Sequence, residues 1–277
     1  MELNGGIVLR QHWQVPKAEY HELKSKKTNY CVIIPVINEG ARIKEQLLKM
    51  KPFSGDIDII LADGGSTDGS TNLDFLKSVG VRTLIVKKDK GKLSAQLRIG
   101  FAYALDQGYQ GIITVDGNNK DGVEAIPNFI VELDAGYDFV QGSRYVKGGK
   151  SINTPMVRDF AIKLIHAPII SLVAKHRYTD TTNGFRAYSS HYLLDPRVQP
   201  FRNVFDTYEL LAYLSVRASQ IGFKTKEIPV TRKYPDDGKV PTKISGVKGN
   251  FALIKILVML MFKFYDPEYN RGKRESY

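Results

Sequence analysis

Short apolar runs alternate with helix-length amphipathic segments over the first half of the chain. The apolar runs have the length and the β-branched content of buried strands, and the segments between them carry apolar residues at helical spacing. The predicted elements are strands Cys31–Val36, Ile57–Leu61, Thr83–Val86, Ile112–Val115 and Phe139–Val140, and helices Ala41–Met50, Asn72–Val79, Leu93–Gln107 and Val123–Ala135.

This alternation of strand and helix predicts a mostly parallel sheet with helices on both faces, because parallel neighbours need crossover connections. Sheets of this class bind ligands beyond the carboxyl ends of their strands. A polar loop follows each predicted strand: "INEG", "DGGSTDGS", "KKDKGK", "DGNNKD" and "GSRY" in chain order. The sequence therefore predicts an α/β fold in which five polar loops meet at one edge of the sheet.

The pattern changes after about residue 151 to longer helical segments, and the segment Phe251–Phe262 has eleven apolar residues in twelve. A membrane-spanning helix needs roughly 20 apolar residues, so this segment is too short to span. On a helix, Lys248, Lys255 and Lys263 share one stripe, which would suit a membrane interface. The alternative is a helix that packs on the domain or on a second subunit. We divide the chain into an N-terminal extension (1–29), an α/β domain (30–245) and a C-terminal apolar helix with a basic tail (246–277).

The net charge of the chain limits the classes of molecule that it is expected to bind. The 277 residues include 40 Lys and Arg against 29 Asp and Glu, a net charge of +11, which favours phosphates, nucleic acid or anionic lipid. The lysines lie on loops without interleaved aromatic residues, which argues against nucleic acid. The single cysteine, Cys31, lies inside an apolar run, and the first twenty residues lack the apolar stretch of a signal peptide. A cytoplasmic location is expected.

The loop "DGNNKD" offers the most specific chemistry. Asp116 and Asn118 provide oxygen ligands of the kind that Mg²⁺ or Mn²⁺ prefers, and such a metal could offset the charge of a diphosphate. Lys120 could instead bind phosphate directly as a point charge. Taken alone, the loop is also compatible with an ordinary polar turn, because Asp and Asn are common in turns.

Two further loops could also either bind a ligand or have only a structural role. Asp63 ends the second predicted strand, where it could accept hydrogen bonds from a base or a ribose, although the Gly-rich stretch after it is also typical of a turn. Lys92 belongs to "KDKGK", which is either a basic rim for a diphosphate or a solvated run of charge. These motifs gain specificity from their order and spacing along one sheet edge.

The motifs together resemble family 2 glycosyltransferases, and most closely the dolichyl- or polyprenyl-phosphate mannose synthase type. The resemblance extends from about Tyr30 to Ile244 and rests on "CVIIPVINEG", "IDIILADGGSTDGS", "KGKLSAQLRIGFAYALDQGYQGIITVDGNNKD", "DFVQGSRYVKGG" and "DTTNGFRAY". It implies a GT-A fold, a nucleotide-sugar donor, a divalent metal (Mg²⁺ or Mn²⁺) and inversion at the anomeric carbon, in the synthesis of cell-surface polysaccharide or glycoconjugate.

The resemblance also assigns roles to residues. It implies donor contacts at Pro35, Glu39, Asp63, Lys92, Asp116, Asn118 and Lys120, and contacts to a diphosphate or an acceptor phosphate at Arg144, Arg158 and Arg186. If the protein works at a membrane face, we expect Lys243 to lie with Arg144 and Arg158 where a phosphate head group could enter. Asp116 and Asn118 stand at the two positions of the family's metal motif. Lys120 stands where this branch often has a glutamine. Neutral Asn118 and cationic Lys120 are therefore departures from the metal motif.

The need for a general base depends on the acceptor. A lipid phosphate is already ionised, whereas a sugar hydroxyl must lose its proton to a carboxylate. In "FDTYELL", Asp206 is the first candidate for that base and Glu209 the second. An acid at the start of a helix is also often a cap or a partner of the helix dipole.

Two other functions remain open at this stage. One is a GT-A protein that binds a nucleotide or nucleotide sugar without transferring it. The other is a nucleotidyltransferase, although that class usually begins with a Gly-rich loop and a basic signature, which "IPVINEG" lacks. The expected partners are a nucleotide-sugar donor, a lipid-linked or glycan acceptor, the cytoplasmic face of a membrane and a second copy of the chain.

Overall fold

The computed structural model describes residues 12–236 and 246–267, with side chains from residue 252 onward in the second range. Ten strands occur in these residues: β1 Ala18–Glu22, β2 Tyr30–Val36, β3 Asp58–Asp63, β4 Val81–Lys87, β5 Gly111–Thr114, β6 Phe139–Ser143, β7 Lys150–Ile152, β8 Arg186–Ser189, β9 Thr225–Pro229 and β10 Thr231–Lys233. Eight of them form one sheet in the order β1-β4-β3-β2-β5-β8-β6-β9, and β10 pairs with β7.

The α-helices of the same residues are α1 Ala41–Met50, α2 Leu73–Ser78, α3 Leu93–Asp106, α4 Ile126–Asp134, α5 Met156–Ala161, α6 Ala167–Ala174, α7 Ser190–Leu194, α8 Glu209–Gln220 and α9 Gly246–Met261. A π-helical turn, Ile162–His166, joins α5 to α6. The helix predicted over Val123–Ala135 begins instead as a 3₁₀ turn, Val123–Ala125, and becomes α-helical at Ile126. Pro127 sits in the first turn of α4, where its missing N–H costs no hydrogen bond.

The predicted sheet is confirmed and is mostly parallel. Strands β4, β3, β2 and β5 are parallel neighbours, and β8 lies antiparallel between β5 and β6. The five strands predicted from sequence therefore point the same way, and their carboxyl ends share one edge. The sequence did not predict the antiparallel strands β1 and β8, because each is only four or five residues long and has no clear alternation.

The core has two halves, one on each face of the sheet. Alternate residues of β2 face opposite sides: Cys31 and Ile33 pack with α3 and α8, whereas Val32 and Ile34 pack with α1. Burial raises the pKa of the Cys31 thiol, which suits a structural residue. The sheet is thus held rigidly from both sides, and the loops at its carboxyl edge are built on a fixed frame.

Helix α9 packs one face against the domain. Ile256, Leu257 and Leu260 are buried in the same core as α6 and α8. Lys255 is exposed, and Lys263 follows the end of the helix with a left-handed φ of 58°, so it does not continue the predicted stripe. The side chain of Lys248 lies outside the described residues. Among the helices that are described, none has the length and apolar character needed to span a bilayer.

The proposed division of the chain at residues 30 and 246 stays a prediction. Strand β1, from the predicted extension, pairs with β4 at the edge of the sheet, with Ala18 opposite Lys87. Helix α9 contributes to the main core, as described above. Both flanking segments therefore add packing to the central domain.

Candidate functional site

Asp116 follows β5 directly, at the centre of the carboxyl edge. Two glycines allow its position: a Cβ on Gly117 would lie 2.6 Å from Val36 Cγ1, and one on Gly184 would lie 2.5 Å from Asp116 Oδ1. Both distances are shorter than real Cβ contacts, so a larger residue at either position would displace the side chain of Val36 or of Asp116. The close approach of these backbones brings the end of β5 against the end of β2 and against the segment before β8.

Arg232 joins Asp116 and Asp121 from the opposite side of the site. Its Nη2 donates to Asp116 Oδ2 at 3.0 Å, and its Nη1 donates to Asp121 Oδ2 at 2.5 Å and to Asn183 Oδ1 at 3.3 Å. The Arg232 side chain is 7% exposed and that of Asp121 is fully enclosed. The result is a buried ionic cluster of one guanidinium and two carboxylates at the expected donor site.

The backbone fixes this cluster. Gly122 N–H donates to Thr231 O and Lys233 N–H donates to Lys120 O, both at 2.8 Å, and Asp121 and Arg232 form an antiparallel bridge. The loop after β5 is therefore paired with β10, more than 100 residues later in the chain. Arg232 was missed in the sequence analysis, because it lies in a basic loop whose pairing no local pattern reveals.

Tyr234 contacts three cationic side chains, one of which is Arg232. Arg158 Nη1 donates to the Tyr234 hydroxyl at 3.0 Å, and Lys120 Nζ lies 4.9 Å from the centre of the Tyr234 ring. The Arg232 guanidinium carbon lies 5.9 Å from the same ring. Lys120, Arg158 and Arg232 thus converge on one tyrosine, and no local sequence pattern indicates this role for Tyr234.

The charges of this cluster change its acid–base properties. Burial opposes ionisation of Asp116, but the charges of Arg232 and Lys120 outweigh it and lower the pKa of Asp116. Burial, together with the charge of Asp116, raises the pKa of Asp121. Burial would raise the pKa of Tyr234, but Arg232, Arg158 and Lys120 lower it. An excess of positive charge therefore acts on this edge of the sheet, which suits the binding of an anion.

Asp63 ends β3 and Glu39 lies in the loop after β2, and the loops that follow these two strands are bonded to each other. Asn38 Oδ1 accepts from Thr67 N–H at 2.8 Å, and Asn38 N–H donates to Ser66 Oγ at 2.9 Å. The Asp63 carboxylate accepts from Ser66 N–H and Oγ, and Glu39 forms an ion pair of 2.8 Å with Arg42. Pro35, half-buried, precedes these loops at the end of β2. The structure therefore brings together the residues predicted to contact the nucleoside.

Lys92 lies beside the two candidate bases. Its N–H donates to Asp206 O at 2.8 Å, and its Nζ lies 5.8 Å from the centre of the Tyr208 ring. The Asp206 side chain is half-exposed, 3.8 Å from Arg98 Nη2. Glu209 accepts from the Thr207 N–H at 2.8 Å and from the Thr207 hydroxyl, in the first turn of α8. The Glu209 carboxylate thus closes a local turn, whereas Asp206 faces solvent.

Arg144 and Arg186 are buried and bonded within the domain. Arg144 donates to both carboxylate oxygens of Asp180, at 2.6 and 2.9 Å. Arg186 donates to backbone carbonyl groups of Thr181, Asn183 and Leu211. These contacts hold the segment before β8 in place. Lys243, the fourth basic residue predicted to contact phosphate, lies outside the described residues.

Comparison with known proteins identifies the family. The model of the family described as "Glycosyl transferase family 2" matches residues 31–195, more than half of the chain. The chain belongs to glycosyl transferase family 2. The resemblance inferred from the motifs is thereby confirmed, and this family 2 chain is a glycosyltransferase.

Two relatives resemble the chain over most of its length. The chain is 28% identical to the polyprenol monophosphomannose synthase of Mycolicibacterium smegmatis, over 81% of this chain and 84% of that protein. It is 26% identical to the undecaprenyl-phosphate mannosyltransferase of Micrococcus luteus, over 77% of this chain and 86% of that protein. Both names describe transfer of mannose to a polyprenyl compound, which agrees with the branch that the motifs indicated.

The fold is also that of a solved glycosyltransferase. The glucosyl-3-phosphoglycerate synthase of Mycobacterium tuberculosis superposes with a TM-score of 0.60 at 14% identity, over 87% of this chain and 81% of that one. Its crystals contain Mn²⁺, uridine diphosphate and glucosyl-3-phosphoglycerate. The likeness confirms the predicted GT-A fold. In the described part of this family 2 chain, no three His, Cys, Asp or Glu side chains cluster as a metal site.

Proposed function

We propose that this glycosyltransferase moves a sugar from a nucleotide-sugar donor to the phosphate of a polyprenyl phosphate at a membrane surface. The observation that carries the proposal is the position of Arg158. This residue belongs to α5 and donates to Tyr234 in the cation cluster at the carboxyl edge. Its neighbours Met156 and Val157 are 87% and 84% exposed. One short helix therefore joins a phosphate-binding cluster to an apolar surface.

That surface extends beyond α5. The apolar surface, as we define it, consists of exposed side chains on α5, the π-helical turn, α6, α9 and the turn after α9: Met156, Val157, Phe160, Leu164, Ile165, Leu172, Ile254, Val258, Met261, Phe262 and Phe264. Helix α9 packs against α6, so the two groups are neighbours. Exposed Lys163, Lys255 and Lys263 accompany them. Apolar side chains with flanking lysines suit the interface of an anionic bilayer.

The reaction follows from these positions. An ionised oxygen of the acceptor phosphate attacks the anomeric carbon, a carbon–oxygen bond forms, and the bond to the donor diphosphate breaks with its electron pair left on the departing oxygen. The cations Lys120, Arg158 and Arg232 stabilise the charge that develops on that diphosphate. A phosphate acceptor needs no general base. Glu209 would then keep its capping contact with Thr207, and Asp206 would take no proton.

Acceptor choice tests the proposed function directly. Polyprenyl phosphate and polyprenol differ only in the phosphate, so we expect transfer to the first and none to the second with the active nucleotide sugar. A panel of nucleotide sugars, screened first by thermal stabilisation, identifies that donor. The labelled product should extract with lipid, and the reaction should release nucleoside diphosphate. Release of pyrophosphate in a separate assay that supplies a nucleoside triphosphate and a sugar phosphate would indicate a nucleotidyltransferase, and stabilisation without transfer would indicate a binding protein.

Vesicle binding tests the membrane surface. We expect Met156→Asp combined with Phe262→Asp to weaken binding to anionic liposomes at least 10-fold, since each change places a charge where an exposed apolar side chain would enter the interface. Flotation at low salt measures the bound fraction, which should also fall as salt rises.

The matched control is Val131→Asp. Val131 is an exposed apolar residue on α4, which packs on the opposite face of the sheet. This variant should float like the wild-type protein. Equal flotation of the double variant and the wild type, with both folded, would contradict the proposed membrane surface.

A further inference from the structure

We infer that Arg232, together with Lys120, takes the place of a divalent metal in this chain, so that the donor diphosphate binds without one. The inference rests on the proposed function, because it concerns the same donor site. It starts from Asp116, the first residue of the metal motif. One oxygen of this carboxylate, Oδ2, already accepts a hydrogen bond of 3.0 Å from Arg232 Nη2.

The remaining positions of the motif do not fit a divalent cation. The Asn118 amide turns its Nδ2 toward Asp116 Oδ2 at 3.5 Å, and its oxygen accepts from the Lys120 N–H at 3.3 Å. The third position is Lys120 itself, which has no oxygen. Asp121 is fully enclosed, so an ion bound to it would not reach a donor in the cleft. At nucleotide sites Mg²⁺ and Mn²⁺ are held by one or two carboxylates together with phosphate and water oxygens, and here the carboxylate of Asp116 is already bound by Arg232.

The net charge of the cluster also favours an anion over a divalent cation. Within the described residues, the cluster contains three cationic side chains, Lys120, Arg158 and Arg232, and two carboxylates, Asp116 and Asp121. A divalent cation would add to an excess of positive charge, whereas a diphosphate would offset it. The cluster is therefore matched to the anion itself.

Arg232 keeps hydrogen-bonding capacity for that anion. Its contacts to Asp116, Asp121 and Asn183 use three of the five N–H donors of a guanidinium within the described residues. A planar guanidinium suits phosphate, because two parallel N–H groups match two phosphate oxygens. The backbone pairing of β10 with the loop after β5 fixes the group before the donor arrives. Stabilisation of the leaving diphosphate then requires little rearrangement.

Nucleotide binding with and without metal tests the inference. Chelator-treated full-length protein is titrated calorimetrically with uridine diphosphate and with guanosine diphosphate, in EDTA and in Mn²⁺. The nucleotide that binds should do so with dissociation constants that agree within 3-fold, and Mn²⁺ alone should give no binding below about 1 mM. Binding that disappears in EDTA and is strengthened more than 10-fold by Mn²⁺ would overturn the inference, as would no binding of either nucleotide in both buffers.

Variants identify the residue responsible. Arg232→Lys keeps the positive charge but loses the planar guanidinium and its parallel N–H groups, so it should weaken nucleotide binding in EDTA about 10-fold. Lys120→Met should weaken it by a similar factor. Arg197→Lys, which alters an arginine paired with Asp195 on a surface away from the cluster, is the matched control and should bind like the wild type. Wild-type affinity in folded Arg232→Lys and Lys120→Met would also overturn the inference.

The two proposals fail in different ways. Nucleotide binding in EDTA without transfer to polyprenyl phosphate would contradict the proposed function and leave the metal-free site standing. Transfer to polyprenyl phosphate that stops in EDTA and returns with Mn²⁺ would contradict the metal-free site and leave the proposed function standing.

Discussion

Replacing Asp116 with alanine is expected to lower the transfer rate about 100-fold, or about 2.7 kcal/mol in activation free energy, while the protein stays folded. Asp116 Oδ2 accepts from Arg232 Nη2 at 3.0 Å, and Asp121 holds the other side of the guanidinium at 2.5 Å. Without Asp116 the guanidinium is held from one side only. It can then turn away from the donor diphosphate, and the site loses the alignment on which stabilisation depends.

The fold should survive because other contacts hold the loop. Thr114 Oγ1 donates to Gly184 O and Asn119 N–H donates to Gln46 Oε1, both at 2.8 Å. Single-turnover transfer and thermal unfolding of the same preparations measure the two effects. Asp74→Ala removes an exposed carboxylate from the first turn of α2 and serves as the control. Wild-type turnover in Asp116→Ala would remove Asp116 from the mechanism.

The central sheet could be predicted because its strands are buried on both faces. Residues of β2 and β3 form continuous apolar runs that end in polar loops, and this pattern is visible without tertiary information. The edge strand β1 and the inserted strand β8 could not be found this way. Their residues become strands by pairing with β4, and with β5 and β6, so the signal lies in their partners.

Only part of the proposed donor site could be predicted from the sequence. Asp116, Asn118 and Lys120 lie in one loop directly after a strand, so their proximity follows from local order. Arg232 and Tyr234 come more than 100 residues later and reach the same place through the pairing of β10 with that loop. A sequence pattern shows which residues share a loop. It does not show which distant cation neutralises their carboxylates.

The position of the apolar surface could not be predicted from the sequence either. The apolar run at Phe251–Phe262 was conspicuous, but Leu257 within it is buried against the core. The most exposed apolar residues lie instead on α5, at Met156 and Val157, where the chain has no long apolar run. Amphipathic spacing predicts that a helix has an apolar face. Whether that face meets the core or solvent depends on the elements packed around it.

Removing one partner of the buried pair of Arg144 and Asp180 should destabilise the protein strongly. Both side chains are almost fully buried, and Asp180 accepts from Arg144 Nε at 2.6 Å and Nη2 at 2.9 Å. Asp180→Ala leaves a guanidinium buried without its counter-charge. We expect the free energy of unfolding to fall by about 3–5 kcal/mol, measured by denaturant titration. Glu19→Ala, which breaks an exposed pair with Lys88, should leave the denaturation midpoint unchanged.

A double variant separates the charge effect from the loss of packing. Arg144→Met with Asp180→Leu removes both charges and keeps similar volume, so it should recover most of the stability that Asp180→Ala loses. Failure to recover would mean that the hydrogen bonds of this pair, including that of Arg144 to Thr182, matter more than the buried charge. The same variant tests the predicted contact of Arg144 with phosphate. Because Asp180 already binds the Nε and Nη2 groups of Arg144, we expect the folded double variant to bind nucleoside diphosphate like the wild type, and a 10-fold loss would instead assign Arg144 to the site.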